Sequence, residues 1–426
     1  MMSVYDGKRE QAMKNKPGII LLLAAFVVAA GFGIFLLVKN SGRPSAGGED
    51  VRLYYYRCIP GLKRAEDAGS VLPVHKSYAL NDKGLRIELD RIWIGAEKAW
   101  VLYHVADGTD LTPSGMLVLA GPGDATLLYG PVTEETEQIL ADDGLYGYFI
   151  MRRTGEMKDA ITIDQASLYP IVTQKRWLGQ KVTELDTIHV TLPANPLIEA
   201  AQDIALRQET HDIGSLGTLT PTGLTMAQSR TFLSMQWSST GYTLYGLQGA
   251  LDSRRGESLS IDGMIDGKRA ALPAFNYIDT IFTLNLDKAY FINPGTLTLG
   301  IDPKDYQKKS SRNKIEQPAF QPGGPQCILQ KIRMEKDWVY LDMIPVDDGN
   351  GMLCADPWAE ASGGTDTVYC INGTLGWMDG VLTADKEGIS LGIPRVMWDQ
   401  NLAVWVQVRK PLVAVEPGLH IDLKGE

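Results

Sequence analysis

Residues 84–105 read GLRIELDRIWIGAEKAWVLYHV, and the reading of this stretch decides the fold. Leu85, Ile87 and Leu89 alternate with Arg86, Glu88 and Asp90. A period of two is the signature of a strand with one face buried. Gly95-Ala96-Glu97-Lys98 interrupts the pattern with turn residues, and residues 99–105 resume it with aromatic and β-branched side chains. Strand, polar turn and aromatic-bearing strand make a hairpin, so the chain is expected to be mainly β.

Two later stretches repeat the theme: residues 217–237, GTLTPTGLTMAQSRTFLSMQW, and residues 327–345, CILQKIRMEKDWVYLDMIP. Short strands punctuated by Gly, Pro and Asp turns predict tandem antiparallel β-sandwich domains of the immunoglobulin-like kind. The spacing places these domains at residues 71–195, 211–303 and 327–426. Residues 196–210 have helix-forming composition and read as a connecting helix or linker, and 304–326, rich in Lys, Ser, Gln, Pro and Gly, as a second linker. Within a further linker, 39–70, the tyrosine run VRLYYYRC at 51–58 reads as a strand and 59–66 as a loop.

Upstream, residues 18–38 read GIILLLAAFVVAAGFGIFLLV, without a charge from Gly18 to Val38. A helix crossing a bilayer needs about 20 apolar residues, so a transmembrane helix is expected here. Lys8, Arg9, Lys14 and Lys16 crowd the preceding side. Positive charge stays inside, which makes 1–17 a cytoplasmic tail and the bulk of the chain extracytoplasmic, in a single-pass cell-membrane protein. A cleaved signal peptide is the competing reading, but its apolar region is usually only about 7–15 residues. The nearest cleavage candidate, Ser45-Ala46-Gly47, follows Pro44 and is poor.

The chain has 426 residues, a net charge of −10 and a pI near 5.2. Phosphate backbones would be repelled, so nucleic acid is excluded as a partner. Four cysteines, Cys58, Cys327, Cys354 and Cys370, are too few for a disulfide scaffold. In an oxidising compartment a Cys354–Cys370 bridge closes a short loop worth ~3 kcal/mol on the chain-entropy model. Four cysteines allow three full pairings, and buried thiols are the equal alternative.

No motif supplies chemistry. The Gly-x-Ser-x-Gly elbow of serine hydrolases does not occur. Ser311-Arg312-Asn313-Lys314 matches Ser-x-x-Lys but sits in a polar linker, and neither Ser-Asp-Asn nor Lys-Thr-Gly follows. His75, His104, His189, His211 and His420 are scattered without zinc spacing, and His104 reads as a structural strand residue. Glu134-Glu135 and Asp142-Asp143 read as a solvated acidic face, and Asp347-Asp348-Gly349-Asn350 as a turn lacking EF-hand spacing. Neither a Walker loop nor a dinucleotide fingerprint is present. Trp93, Trp100, Trp237, Trp338 and Trp405 fall mostly on strands and read as core, with a carbohydrate or partner platform as the alternative. Catalytic, cofactor and metal residues are therefore not expected.

A short basic tail, one span and tandem β-domains resemble the membrane-anchored envelope proteins of Gram-positive bacteria, some of which regulate extracytoplasmic-function sigma factors. The stretches LRIELDRIWIGAEKAWVLYHVADG and LGTLTPTGLTMAQSRTFLSMQWSS carry the likeness, which covers most of residues 75–305. Anti-sigma members place a helical, often zinc-binding domain before the span, and residues 1–17 are too few to form one. The resemblance implies a non-catalytic protein that binds or senses an envelope protein or glycan. An envelope glycan or peptide hydrolase using dispersed carboxylates, and a structural spacer, are the alternatives.

Overall fold

The computed structural model describes residues 51–425, apart from 81–84, 107–110, 123–125, 133–137, 142, 155–162, 177–178, 194, 196–198, 200, 240, 307–314, 316, 319–324, 347–350, 363–366 and 385–387. The chain divides into two compact units at Glu199 and Ala200.

The first unit opens with two short helices, α1 (Val51–Cys58) and α2 (Leu62–Asp67). Ten strands follow. They are β1 (Val71–Ala79), β2 (Arg86–Ile94), β3 (Lys98–Val105), β4 (Leu111–Ala120) and β5 (Thr126–Pro131). Then come β6 (Gln138–Ala141), β7 (Gly144–Thr154), β8 (Gln165–Arg176), β9 (Gly179–Glu184) and β10 (Ile188–Thr191). All ten belong to one antiparallel sheet in the order β1-β2-β3-β7-β5-β4-β8-β10, with β6 on β7 and β9 on β8. Ile87, Val101, Leu117, Phe149 and Leu168 meet in one core, and Val74 and Val190 from the two ends of the order pack against it. A single sheet whose ends reach the same core must curl over itself. This replaces the expected two-sheet sandwich, and the strong intrinsic twist of sheets makes the curl natural.

On the opposite face of β2, β3 and β7, a second cluster joins Trp93, Trp100, Leu102 and Tyr148 to Tyr54, Tyr55, Tyr56, Ile59 and Leu62 of the helical segment. The Tyr55 hydroxyl lies 3.1 Å from the Tyr103 carbonyl oxygen and 3.2 Å from that of Gly147, both acceptors within its reach. The tyrosine run is thus helical, against the expected strand. Tyrosine favours strands in isolation, and eight residues are too few to display a 3.6 period; docking on the sheet decides the outcome. Burial on both faces also explains the unbroken buried run from Ala99 to Tyr103 in β3.

The second unit begins with β11 (Gln202–Ala205), β12 (His211–Asp212), β13 (Gly217–Met226) and β14 (Arg230–Ser239). It continues with β15 (Thr243–Ser253), β16 (Ser258–Asp266), β17 (Arg269–Pro273), β18 (Ile281–Ile292), β19 (Thr296–Ile301) and β20 (Gln317–Pro318). Next are β21 (Gln326–Met334), β22 (Trp338–Val346), β23 (Met352–Cys354), β24 (Thr367–Asn372) and β25 (Gly376–Asp379). The last are β26 (Val381–Ala384), β27 (Ile389–Pro394), β28 (Val404–Arg409), β29 (Leu412–Val415) and β30 (Leu419–Lys424).

An eleven-stranded sheet runs β11-β13-β14-β17-β16-β15-β18-β29-β23, with β12 on β13 and β30 on β18. A four-stranded sheet, β19-β28-β24-β25, and a five-stranded sheet, β20-β21-β22-β27-β26, enclose another core with Leu299, Val339, Leu341, Leu391 and Val406. The second and third strand series are therefore interleaved, not separate tandem immunoglobulin-like sandwiches. β19 leaves the second series to pair β28, and β29 and β30 return to pair β18. The returning strands satisfy the backbone groups that β18 would otherwise expose along an edge. In the described part of the expected 196–210 connection, residues 202–205 form β11 and no helix is present.

The segment expected to span a membrane, 18–38, lies outside the described residues, as do 1–17 and 39–50. Among the described residues no helix is long and apolar enough to cross a membrane. The described residues thus give no support to the expected transmembrane fold class, membrane partner or single-pass topology, and the fold is corrected to a mainly β chain of large curled and interleaved sheets. All four cysteines are thiols. Cys354 lies on β23 and points its Sγ to the Leu412 carbonyl at 3.6 Å, while the buried Cys370 lies on β24 in a different sheet.

Candidate functional site

In β2, Ile87 and Leu89 enter the core, so Glu88 turns to the opposite face. Asp90 then falls at a register shift between Leu89 and Arg91 in the pairing with β3. The facing strand β1 carries its own shift between Pro73 and Lys76, and there His75 adopts a φ of 45°. A left-handed backbone at a non-glycine residue is strained and concentrates at functional positions. Two irregularities facing each other re-aim side chains that a regular ladder would hold apart.

The result is a cluster of three: one ligand atom each from His75, Glu88 and Asp90, all within 4.8 Å of one another. His75 Nδ1 lies 3.1 Å from Asp90 Oδ1. The other Asp90 oxygen accepts from Arg91 Nε at 2.8 Å, and Arg91 also donates to Glu66 of α2. Glu66 takes further hydrogen bonds from Tyr56 at 2.5 Å and from Arg52 Nη2 at 2.9 Å. Burial alone would raise the Glu66 pKa, but the bonds from Tyr56 and Arg52 and the charges of Arg91 and Arg52 outweigh it and hold the carboxyl below its usual range.

The polar strip continues across the sheet. His104 of β3 stands opposite Glu88 and stacks on Tyr146 of β7 with ring centroids 4.4 Å apart. The Tyr146 hydroxyl donates to Asp143 Oδ2 at 2.7 Å. Burial, then the bond to Asp143, pushes the Tyr146 phenol up, so it stays protonated and keeps donating.

Chemically, an imidazole and two carboxylates suit a first-row divalent cation such as Zn²⁺ or Mn²⁺ better than Ca²⁺, which prefers all-oxygen shells. Three protein ligands leave coordination positions for water or substrate. The 4.8 Å spread requires the side chains to close inward by small rotations around an ion with ~2.0–2.2 Å bonds. All three are long or exposed enough to do so, with His75 64% and Asp90 34% exposed.

Of the positions the sequence singles out, His75 lies in the cluster and His104 and Asp143 in the strip beside it. Ser311–Lys314, Glu134-Glu135, Asp142 and Asp347–Asn350 lie outside the described residues. His189 meets Ser167 Oγ at 2.9 Å, and His420 meets Asn285 at 2.6 Å, each a local cross-strand bond. Trp93 and Trp100 are core, as expected, whereas Trp405 is 49% exposed. The cluster escapes sequence reading because His75 stands thirteen positions before Glu88 in another strand. The one legible hint is that Glu88 and Asp90 alternate with core residues.

No protein-family model matches the sequence, and no curated protein matches it. Among solved structures, the crystal structure of a conserved domain protein from Bacillus anthracis is similar, at 9% identity and a TM-score of 0.29, over 56% of this chain and 83% of that one. A likeness at that level supports no argument about fold or function. The expected resemblance to membrane-anchored envelope proteins is corrected to a mainly β chain: no family model carries the resemblance, and among the described residues no helix is long and apolar enough to cross a membrane.

Proposed function

We propose that the first unit holds a divalent transition-metal cation at His75, Glu88 and Asp90 and acts as a hydrolase on glycan or peptide bonds. The observation that carries this reading is the convergence of one imidazole and two carboxylates within 4.8 Å on two facing strand irregularities. A bound cation supplies a water whose pKa falls to about 7. The chain's own residues do the rest. Arg91 orients Asp90, His75 must be neutral to ligate, and the exposed setting admits a polymeric substrate. A hydrolase of this kind takes the place of the expected membrane-anchored, non-catalytic sensor.

Titration calorimetry with Zn²⁺ and with Mn²⁺ tests the site. One saturable event per chain is expected, weakened at least about tenfold in H75A and in D90N and diminished on acidification. Stoichiometric binding that H75A, E88Q and D90N all leave unchanged would sink the assignment, as would no saturable binding at all. Hydrolysis of a bond-labelled glycan or peptide that disappears with chelator and in H75A together tests the catalytic half.

A further inference from the structure

The four-stranded sheet of the second unit sends Leu297, Leu299, Val368, Cys370, Val404, Val406 and Val408 into its core, so the intervening residues form an outer face. Two tryptophans stand on that face in the open: Trp377 is 65% exposed and Trp405 49%. Large aromatics are left this exposed at a cost in hydration, which calls for an explanation.

Their placement supplies one. Ile371 of β24 pairs with Trp377 of β25 on one side and with Trp405 of β28 on the other. The two tryptophans therefore share one level of the sheet, two strand spacings or about 10 Å apart. The Trp405 ring lies over Gly300 of the neighbouring β19, where an added Cβ would come within 2.8 Å of it. Absence of a side chain at Gly300 lets the indole rest on the backbone and turn its face to solvent. Two positions along β24 from Ile371, Tyr369 meets Trp377 edge-on at 5.7 Å and carries the Arg409 guanidinium over its ring at 4.6 Å.

Ile371 fills the space between the tryptophans, and the remaining outward positions are polar and balanced in charge. They carry one cation, Arg409, and one anion, Asp379, with Gln407 and Thr298 beside them. A face of zero net charge complements an uncharged ligand, and its mixture of flat rings with hydrogen-bonding groups fits a sugar chain better than an apolar protein surface. In an extended β-1,4-linked polysaccharide, sugars two positions apart present the same flat, apolar C–H face at about this spacing. We infer that the outer face of the β19-β28-β24-β25 sheet binds an uncharged, extended β-1,4-linked glycan, with Trp377 and Trp405 stacking on alternate sugars and Gln407, Arg409 and Asp379 bonding their hydroxyls.

This binding face is independent of the cation cluster. Affinity electrophoresis of the full chain through gels containing hydroxyethylcellulose or glucomannan tests it, with co-sedimentation on cellulose and chitin as a second readout. The wild-type chain is expected to be retarded. W377A and W405A each weaken binding at least about tenfold, as loss of an interfacial tryptophan typically does, while H75A binds as wild type. Circular dichroism shows whether the variants stay folded, and the exposed conservative variant W377F separates stacking from fold by retaining part of the retardation. No retardation in either gel together with no co-sedimentation on cellulose or chitin overturns the inference, as does binding that W377A and W405A leave intact. A concentration-dependent dimer in sedimentation velocity that W405A dissolves would assign the face to a second copy of the chain and overturn it equally.

Discussion

Arg91 of β2 donates to the carboxylate of Glu66 at the end of α2, while its Nε holds Asp90 at 2.8 Å. One guanidinium thus ties the helical segment to the sheet and to the candidate cation cluster. Replacing Glu66 by Ala strips the part-buried Arg91 and Tyr56 of a shared acceptor while the exposed Arg52 turns to water, and leaving the part-buried donors unsatisfied costs about 1–3 kcal/mol. Urea unfolding at neutral pH should show E66A destabilised by that amount, with cation affinity reduced because Asp90 loses its anchored partner.

The same carboxylate sets a pH dependence. Its folded pKa lies below the ordinary value, so its contribution is present above the unfolded pKa of ~4.3 and is lost as pH falls through the lower folded value. The stability gap between wild type and E66Q should hold from pH 7 to about 5 and narrow on further acidification. A gap that widened in acid would contradict the network described.

Trp93 and Trp100 stack at 4.3 Å with their planes 16° apart, and Trp93 is 1% exposed. Their indoles are the floor on which the tyrosines of α1 rest. Trp93→Ala should cost about 3–5 kcal/mol and raise protease sensitivity within residues 51–67 first. Mass spectrometry of early cleavage products checks the order.

Burial pushes the Cys327 and Cys370 thiols up to about 12, which suppresses the thiolate. Neither should react with a thiol reagent in the native protein at pH 7.5, and both should react on unfolding. Native labelling of Cys370 would contradict its burial, whereas a mass two hydrogens short together with failure to react on unfolding would show a bridge that the structure does not form.

Gly246 lies beneath the Trp358 ring, and a Cβ there would collide with it. Trp358 is held by a bond from its Nε1 to Asp262 at 3.1 Å and by edge contact with Tyr290 at 5.0 Å. Gly246→Ala should cost about 1–3 kcal/mol, and less when introduced into W358A. Additive costs in that double-mutant cycle would show that the ring is not the obstacle.

Local information reaches as far as the pattern that produced it. Alternation at residues 85–90 announces β2 together with its core face, and the turn at 95–98 announces the hairpin, because a strand's side-chain period is a property of its own backbone. The indoles of Trp93 and Trp100 are legible as core for the same reason. Everything that depends on a distant partner is silent in the sequence. Whether strands close into one curled sheet or two, whether β19 stays with its own series, and whether 51–58 coils or extends are all settled by which edge or face is left to cover.

The cluster follows the same division. The sequence by itself determined that Glu88 leaves the core side of β2 and that Trp405 lies on a strand; it placed no histidine beside the one and no glycine beneath the other. Only the tertiary structure decided those neighbours. Two slips of register bring His75 to Asp90, and cross-strand pairing lays Trp405 over Gly300, because side chains far apart in the chain acquire a fixed distance only once their backbones share hydrogen bonds.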